Sequence, residues 1–224
     1  MTYYKFLAAG RIAPFSGHPW SDDWLDARQV VACEQGVHAC RPTDLPFWLH
    51  DELWRIELAG PVTRLGHQVV APRARLVGQV VGWNAQCADA FGRRCLARTA
   101  AHAAAECGEL DDGALAAAAE RLADHADPDQ PIVGPEPDGG LAALREVAVR
   151  RQEAAALAGQ RTAAQVCGYL VDAIDMLGVY PVAGMGYVAA RAAQARRAEG
   201  TRDRYAEERR WQATWLVEHL DLEG

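Results

Sequence analysis

The sequence predicts an α+β protein, with a small, mainly antiparallel β-rich N-terminal domain over residues 1–83 and an all-helical C-terminal domain over residues 84–224. Three observations carry this. Before Trp83, apolar residues recur with the period of two that a half-buried strand requires, most cleanly in Leu53-Trp54-Arg55-Ile56-Glu57-Leu58. After Asn84 the period lengthens to that of a helix, with Cys87, Phe91, Cys95, Thr99 and His102 on one stripe, and alanine becomes abundant. Between the later helical patterns, residues 127–140 (DPDQPIVGPEPDGG) hold four prolines and three glycines, a composition only a loop or linker accommodates.

The elements follow in order. Residues 2–7 (TYYKFL) have the aromatic content of a first strand, and the glycines and prolines of residues 10–19 end it in a loop. Ser21 and Asp22 can cap a short helix at 22–27, while the β-branched Val30 and Val31 favour extended structure, so both readings stand for this stretch. Residues 36–40 (GVHAC) alternate as a strand, which places His38 and Cys40 on one face and Val37 and Ala39 on the other. Thr43 or Asp44 caps a short helix beginning near Leu45-Pro46 and running to about His50. Strand 53–58 ends at Gly60-Pro61, and residues 69–70, 73–77 and 79–81 continue as β structure interrupted by Pro72 and Gly78. Helices are expected from 84 to 107, over 113–125, 141–158, 161–177 and 182–199, and from a cap at Thr201 to the C-terminus. The two domains are expected to pack together rather than to be tethered.

The net charge of −7 and isoelectric point near 5.5 exclude a general nucleic-acid or anionic-membrane binder, because both need a basic surface. No leader-like N-terminus and no apolar run approaching the ~20 residues of a spanning helix are present, which predicts a cytoplasmic protein. Six cysteines in a long, helix-rich chain read as reduced thiols rather than a disulfide scaffold. Only one lysine, Lys5, stands among the 23 lysines and arginines.

The span from Cys33 to Gly60 concentrates the chemistry. Cys33, His38 and Cys40 supply thiolate and imidazole, the ligands zinc and other transition metals prefer, although no Cys-x-x-Cys pair completes the pattern. The plainer reading of the same residues is buried small side chains with a hydrogen-bonded histidine. As a catalytic pair, His38 would activate Cys40 as a nucleophile, across backbone positions ~6–7 Å apart on one strand face. A third reading is a ligand pocket built from Arg11, Phe15, Ser16, Trp20, His38, Arg41, Trp48 and Trp54, in which rings stack on a nucleotide or acidic metabolite and an arginine forks onto its anion. Further on, His102 and Glu106 share a helix face at i, i+4, read as a half-buried structural contact. The mixed charges of residues 191–210 read as a solvated face or, with Trp211 and Trp215, a partner surface.

The span Cys33-x-x-Gly36-Val37-His38-Ala39-Cys40, followed by Pro42, Asp44, Phe47-Trp48 and the strand from Trp54 to Gly60, resembles a small domain of unknown function found in bacterial and phage proteins. The resemblance covers residues 3–83, implies no activity, and leaves the helical remainder similar to extensions in actinobacterial relatives. A more distant likeness is to ADP-ribosyltransferase-like domains, which implies a nicotinamide-nucleotide cleft with Tyr4, His38, Trp48 and Glu57 at the positions to test. The Ser-Thr-Ser segment and the paired Glu-x-Glu of that family are missing around Glu57.

The leading expectation is a small-molecule or nucleotide-binding protein, an enzyme or not, with its pocket near His38 at the domain junction. The alternatives are a metal-stabilised protein-interaction module using Cys33, His38 and Cys40, and an ADP-ribosyltransferase-like domain, active or inactive. The C-terminal helices offer a surface for homo-oligomerisation.

Overall fold

The computed structural model describes residues 2–27, 36–108, 113–124, 140–178, 182–196 and 203–223. Cys33, Val30 and Val31 therefore lie outside the described residues, as do positions 127–139 of the proline-rich stretch. The chain is α+β, with antiparallel strands first and helices after. It divides into two compact units: Met1–Ala85 together with Arg210–Gly224, and Gln86–Arg209.

The first unit carries β1 (Tyr3–Leu7), β2 (Leu25–Asp26), β3 (Val37–Ala39), β4 (Glu52–Ala59), β5 (Thr63–Leu65), β6 (Gln68–Ala71) and β7 (Arg73–Gln79). Of the two readings for residues 22–27, the extended one holds at β2. The short helix after β3 is a 3₁₀ turn over Pro42–Phe47, where Pro42 at the start and Pro46 within limit regular α-helical bonding. Two antiparallel sheets result, one ordered β1-β4-β7-β2 and the other β3-β6-β5. β1 and β3 meet through paired backbone bonds, Tyr4 N to Cys40 O at 2.9 Å and Cys40 N to Tyr4 O at 2.8 Å.

Alternation decides which side chains enter the core. On β4, Trp54 and Ile56 are buried while Arg55 and Glu57 are exposed. Leu7, Trp54, Ile56, Ala74 and Leu76 pack with Val37, Ala39 and Val69 of the smaller sheet and with Trp20. On β1, Lys5 opposes Trp54 in the ladder and falls between Tyr3 and Leu7, both of which pack in this cluster. A lysine therefore occupies a core-facing register position. Phe6 instead meets Trp83 edge to face with centroids 5.4 Å apart. Tyr4 Oη donates to the Glu223 carbonyl oxygen (3.2 Å), which ties the C-terminal tail to the first strand.

At the turn after β4, Gly60 has φ +84°, and a Cβ there would stand 2.6 Å from Pro72 Cγ, so glycine is required.

The second unit holds α1 (Ala85–Cys107, its first residue assigned to the other unit), α2 (Ala114–Asp124), α3 (Gly140–Leu157), α4 (Arg161–Met176) and α5 (Val182–Ala195). α6 (Arg204–His219) contributes its first residues here and the rest to the N-terminal unit, a return of the chain that a single division at 83/84 does not contain. α3 ends at Gly159 (φ +72°), with Gln160 N bonded back to Ala155 O at 2.8 Å. The expected apolar stripe on α4 is present, with Val166, Leu170 and Ile174 buried.

Near the start of α6, Glu208 and Arg209 are buried, at 2% and 6% exposure. This corrects the reading of residues 191–210 as a solvated face. Glu208 stays inside because Arg98 and His102 meet its carboxylate. Arg196 joins the cluster through Glu106 and His102 Nδ1, both at 3.3 Å.

Candidate functional site

The N-terminal unit carries an open cleft with a cavity volume of about 620 Å³, within the range of small-molecule sites. Its described lining residues all belong to that unit: β1 supplies Tyr4, Lys5 and Phe6; β3 and its flanks supply residues 36–40; Phe15, Trp20 and Trp48 form aromatic walls. Asp26, His18 and Gln68 add polar groups.

Among the described lining residues, Lys5 is the one lysine or arginine. Its Nζ donates to the His38 carbonyl oxygen at 2.8 Å and stands 5.2 Å from the centre of the Trp20 ring. Burial pushes its ammonium down to about 8, because the charged form loses hydration that one carbonyl and one ring replace only in part. Burial likewise lowers His38, and the Lys5 charge lowers it further, which favours a neutral imidazole.

Trp20 adds an unused donor. It is 8% exposed, and its Nε1–H has no hydrogen-bond partner among the described residues. A buried indole N–H left unpaired forfeits on the order of 1–3 kcal/mol.

The sequence-selected residues separate into three groups. Phe15, Ser16, Trp20, His38, Cys40 and Trp48 line the cavity. Phe15 is 89% exposed and meets Trp48 edge to face, with centroids 6.4 Å apart, so a large ring stands open at the rim. Arg11, Arg41 and Trp54 do not line it. The Arg11 guanidinium lies over the Trp54 ring at 4.4 Å and bonds Asp22 at 2.8 Å. Arg41 forks onto Asp44, three residues along, at 2.5 and 2.8 Å, which occupies the planar donors that would have met a ligand anion.

Cys40 and His38 come together on one wall, but the thiol is not activated. Burial pushes Cys40 up to about 12, and its Sγ donates to Tyr4 O at 3.3 Å. Of the metal reading, Cys33 lies outside the described residues, and among the described residues no group of three or more His, Cys, Asp or Glu side chains could hold an ion. Of the four positions implied by the ADP-ribosyltransferase likeness, Tyr4, His38 and Trp48 line the cavity, whereas Glu57 is exposed and paired with Arg75 at 2.6 Å.

No sequence motif marks Lys5, which nevertheless lines the cavity. Its signal was there: the lone lysine of an arginine-rich chain, placed in an aromatic strand between Tyr4 and Phe6. No family model, no curated protein and no solved structure matches the chain. No helix among the described residues is long and apolar enough to cross a membrane.

Proposed function

We propose that the protein binds a small, flat, oxygen-bearing molecule of the nucleotide or acidic-metabolite class in the cavity beside His38. The Lys5 ammonium on the cavity wall, beside the Trp20 ring, carries this reading. The ammonium donates, so the ligand it suits presents acceptor oxygens. Phe15, Trp20 and Trp48 supply ring faces and edges for a planar body. A nucleobase or aromatic acid fits both requirements; a purely aliphatic amine fits neither.

Thermal unfolding in the presence of a panel of mononucleotides and aromatic carboxylates tests the proposal, because a ligand that binds only the folded chain raises the midpoint with its concentration. The expected result is saturable stabilisation by at least one acidic planar compound, with affinity weakened roughly tenfold or more in Lys5→Met through loss of a charge-assisted bond. Absence of stabilisation across the panel, or binding unaffected by both Lys5→Met and Trp20→Phe, would overturn it.

A further inference from the structure

In a chain that uses arginine for every other basic side chain of its 23 lysines and arginines, the single lysine stands on the core-facing register of β1 and lines the cavity. Elsewhere arginine makes the ion pairs, at Asp22, Asp44, Glu57, Asp175 and Glu208. Arginine would serve as well as a fixed anchor for an anion and better as a forked one. What lysine offers in its place is an amine that can give up its proton and act as a nucleophile.

The surroundings suit that use. One N–H of Lys5 is held by the His38 carbonyl oxygen at 2.8 Å, which orients the amine and leaves its lone pair free once the proton is gone. The Trp20 ring lies beside it, 5.2 Å from Nζ to the ring centre. With the ammonium pushed down to about 8, roughly a tenth of Lys5 is neutral at pH 7, against about one in 2,500 for an ordinary lysine.

From this geometry we propose that Lys5 forms an imine with an aldehyde or ketone ligand bound in the cavity, a step that rests on the pocket reading above. The neutral Nζ attacks the carbonyl carbon, a C–N bond forms, and the carbonyl oxygen takes up a proton to give a carbinolamine. The nitrogen, cationic after the attack, releases one of its two protons, the hydroxyl takes a second proton and leaves as water while the nitrogen lone pair closes the C=N bond, and the iminium so formed gives up the last N–H proton. Amine and carbonyl become imine and water, with no oxidant or reductant. His38 lines the same cavity, and its imidazole, favoured neutral, is the group we assign to carry the proton from nitrogen to the departing hydroxyl.

The test is to incubate the full chain with 4-formylbenzoate and cyanoborohydride, which fixes an imine as a secondary amine, then to measure intact mass and map the modified peptide. In parallel, calorimetry measures binding of 4-(hydroxymethyl)benzoate, which has the same shape and charge but no carbonyl. The expected result is one adduct on Lys5, formed about tenfold faster than on the urea-unfolded chain and slowed by the alcohol. Peptide mapping separates Lys5 from the chain's α-amine. Lys5→Arg and Lys5→Met should lose the adduct while unfolding cooperatively, and His38→Gln should slow adduct formation by a larger factor than it weakens binding of the alcohol. If the alcohol or a nucleotide binds but Lys5 is labelled no faster than in the unfolded chain, the imine is wrong and the pocket stands. If neither class binds and Lys5 is not labelled, the pocket reading fails with it.

Discussion

Arg98 and Glu208, separated by 110 positions, meet in the helical unit through two parallel contacts, Nε to Oε1 at 2.7 Å and Nη2 to Oε2 at 2.6 Å. The Glu208 side chain is 1% exposed and that of Arg98 33%. Removing the arginine would therefore leave a carboxylate with little water to receive its charge. Arg98→Ala is expected to destabilise the chain by about 3 kcal/mol, measured by urea unfolding, because breaking such a pair strands its buried member. The double variant Arg98→Met/Glu208→Met should recover much of the loss; equal or greater damage in the double variant would mean that packing rather than the stranded charge sets the cost.

The same carboxylate makes stability depend on acid. Burial by itself would raise Glu208, but hydrogen bonds from His102 and Arg98 and the arginine charge outweigh it and hold the group at about 2. Since this is below its ordinary value of 4.5, the unfolded chain binds the proton first as pH falls. The contribution is fully present above about 4.5 and is lost progressively down to about 2. Thermal midpoints of Glu208→Gln should accordingly show a shallower fall than the parent across that window. Parallel curves for the two proteins would remove Glu208 as the source.

Lys5 predicts a dependence of opposite position. Its folded value, about 8, lies below its ordinary 10.5, so between these two the unfolded chain holds the proton that the folded chain has given up. Stability linked to Lys5 therefore rises with pH through this window and is least below about 8, where the buried amine must be charged in the folded state. The parent should gain stability relative to Lys5→Met as pH is raised from about 8 toward 10.5, read from paired urea titrations. A constant difference would place Lys5 in an ordinary hydrated environment.

What was readable in the sequence follows the range of the interactions involved. β4 and β7 could be seen because alternation of Trp54, Ile56, Ala74 and Leu76 with charged neighbours is written into adjacent residues. β5 (TRL) was missed, since its residues are exposed or partly exposed and carry no apolar alternation; its pairing with β6 defines it. Arg41 looked like an anion fork until Asp44 claimed it, a local competition that composition does not rank. The burial of Glu208 was hidden altogether, because a run of mixed charge looks solvated unless its partner, here on α1, is known. Aromatic and histidine positions around the cavity were nameable, yet which of them face one space depends on the β1 to β3 pairing of Tyr4 with Cys40, a contact 36 positions long.

That pairing also decides what Cys40 can do. Its backbone is bonded to Tyr4 in both directions, its side chain is 2% exposed, and its Sγ hydrogen bonds Tyr4 O. With the thiol pushed up to about 12 by burial, almost none is thiolate at neutral pH, and the thiolate is the reactive form. Cys40 should therefore resist iodoacetamide in the native chain at pH 8 and react only on unfolding, as peptide mapping after timed alkylation would show. Cys40→Ala removes a small apolar group and a weak donor, so the expected loss is about 1 kcal/mol, with binding of an acidic planar ligand changed by no more than about twofold. Rapid native alkylation at this position, or loss of binding in a variant that still unfolds cooperatively, would instead make the sulfur part of the site's chemistry.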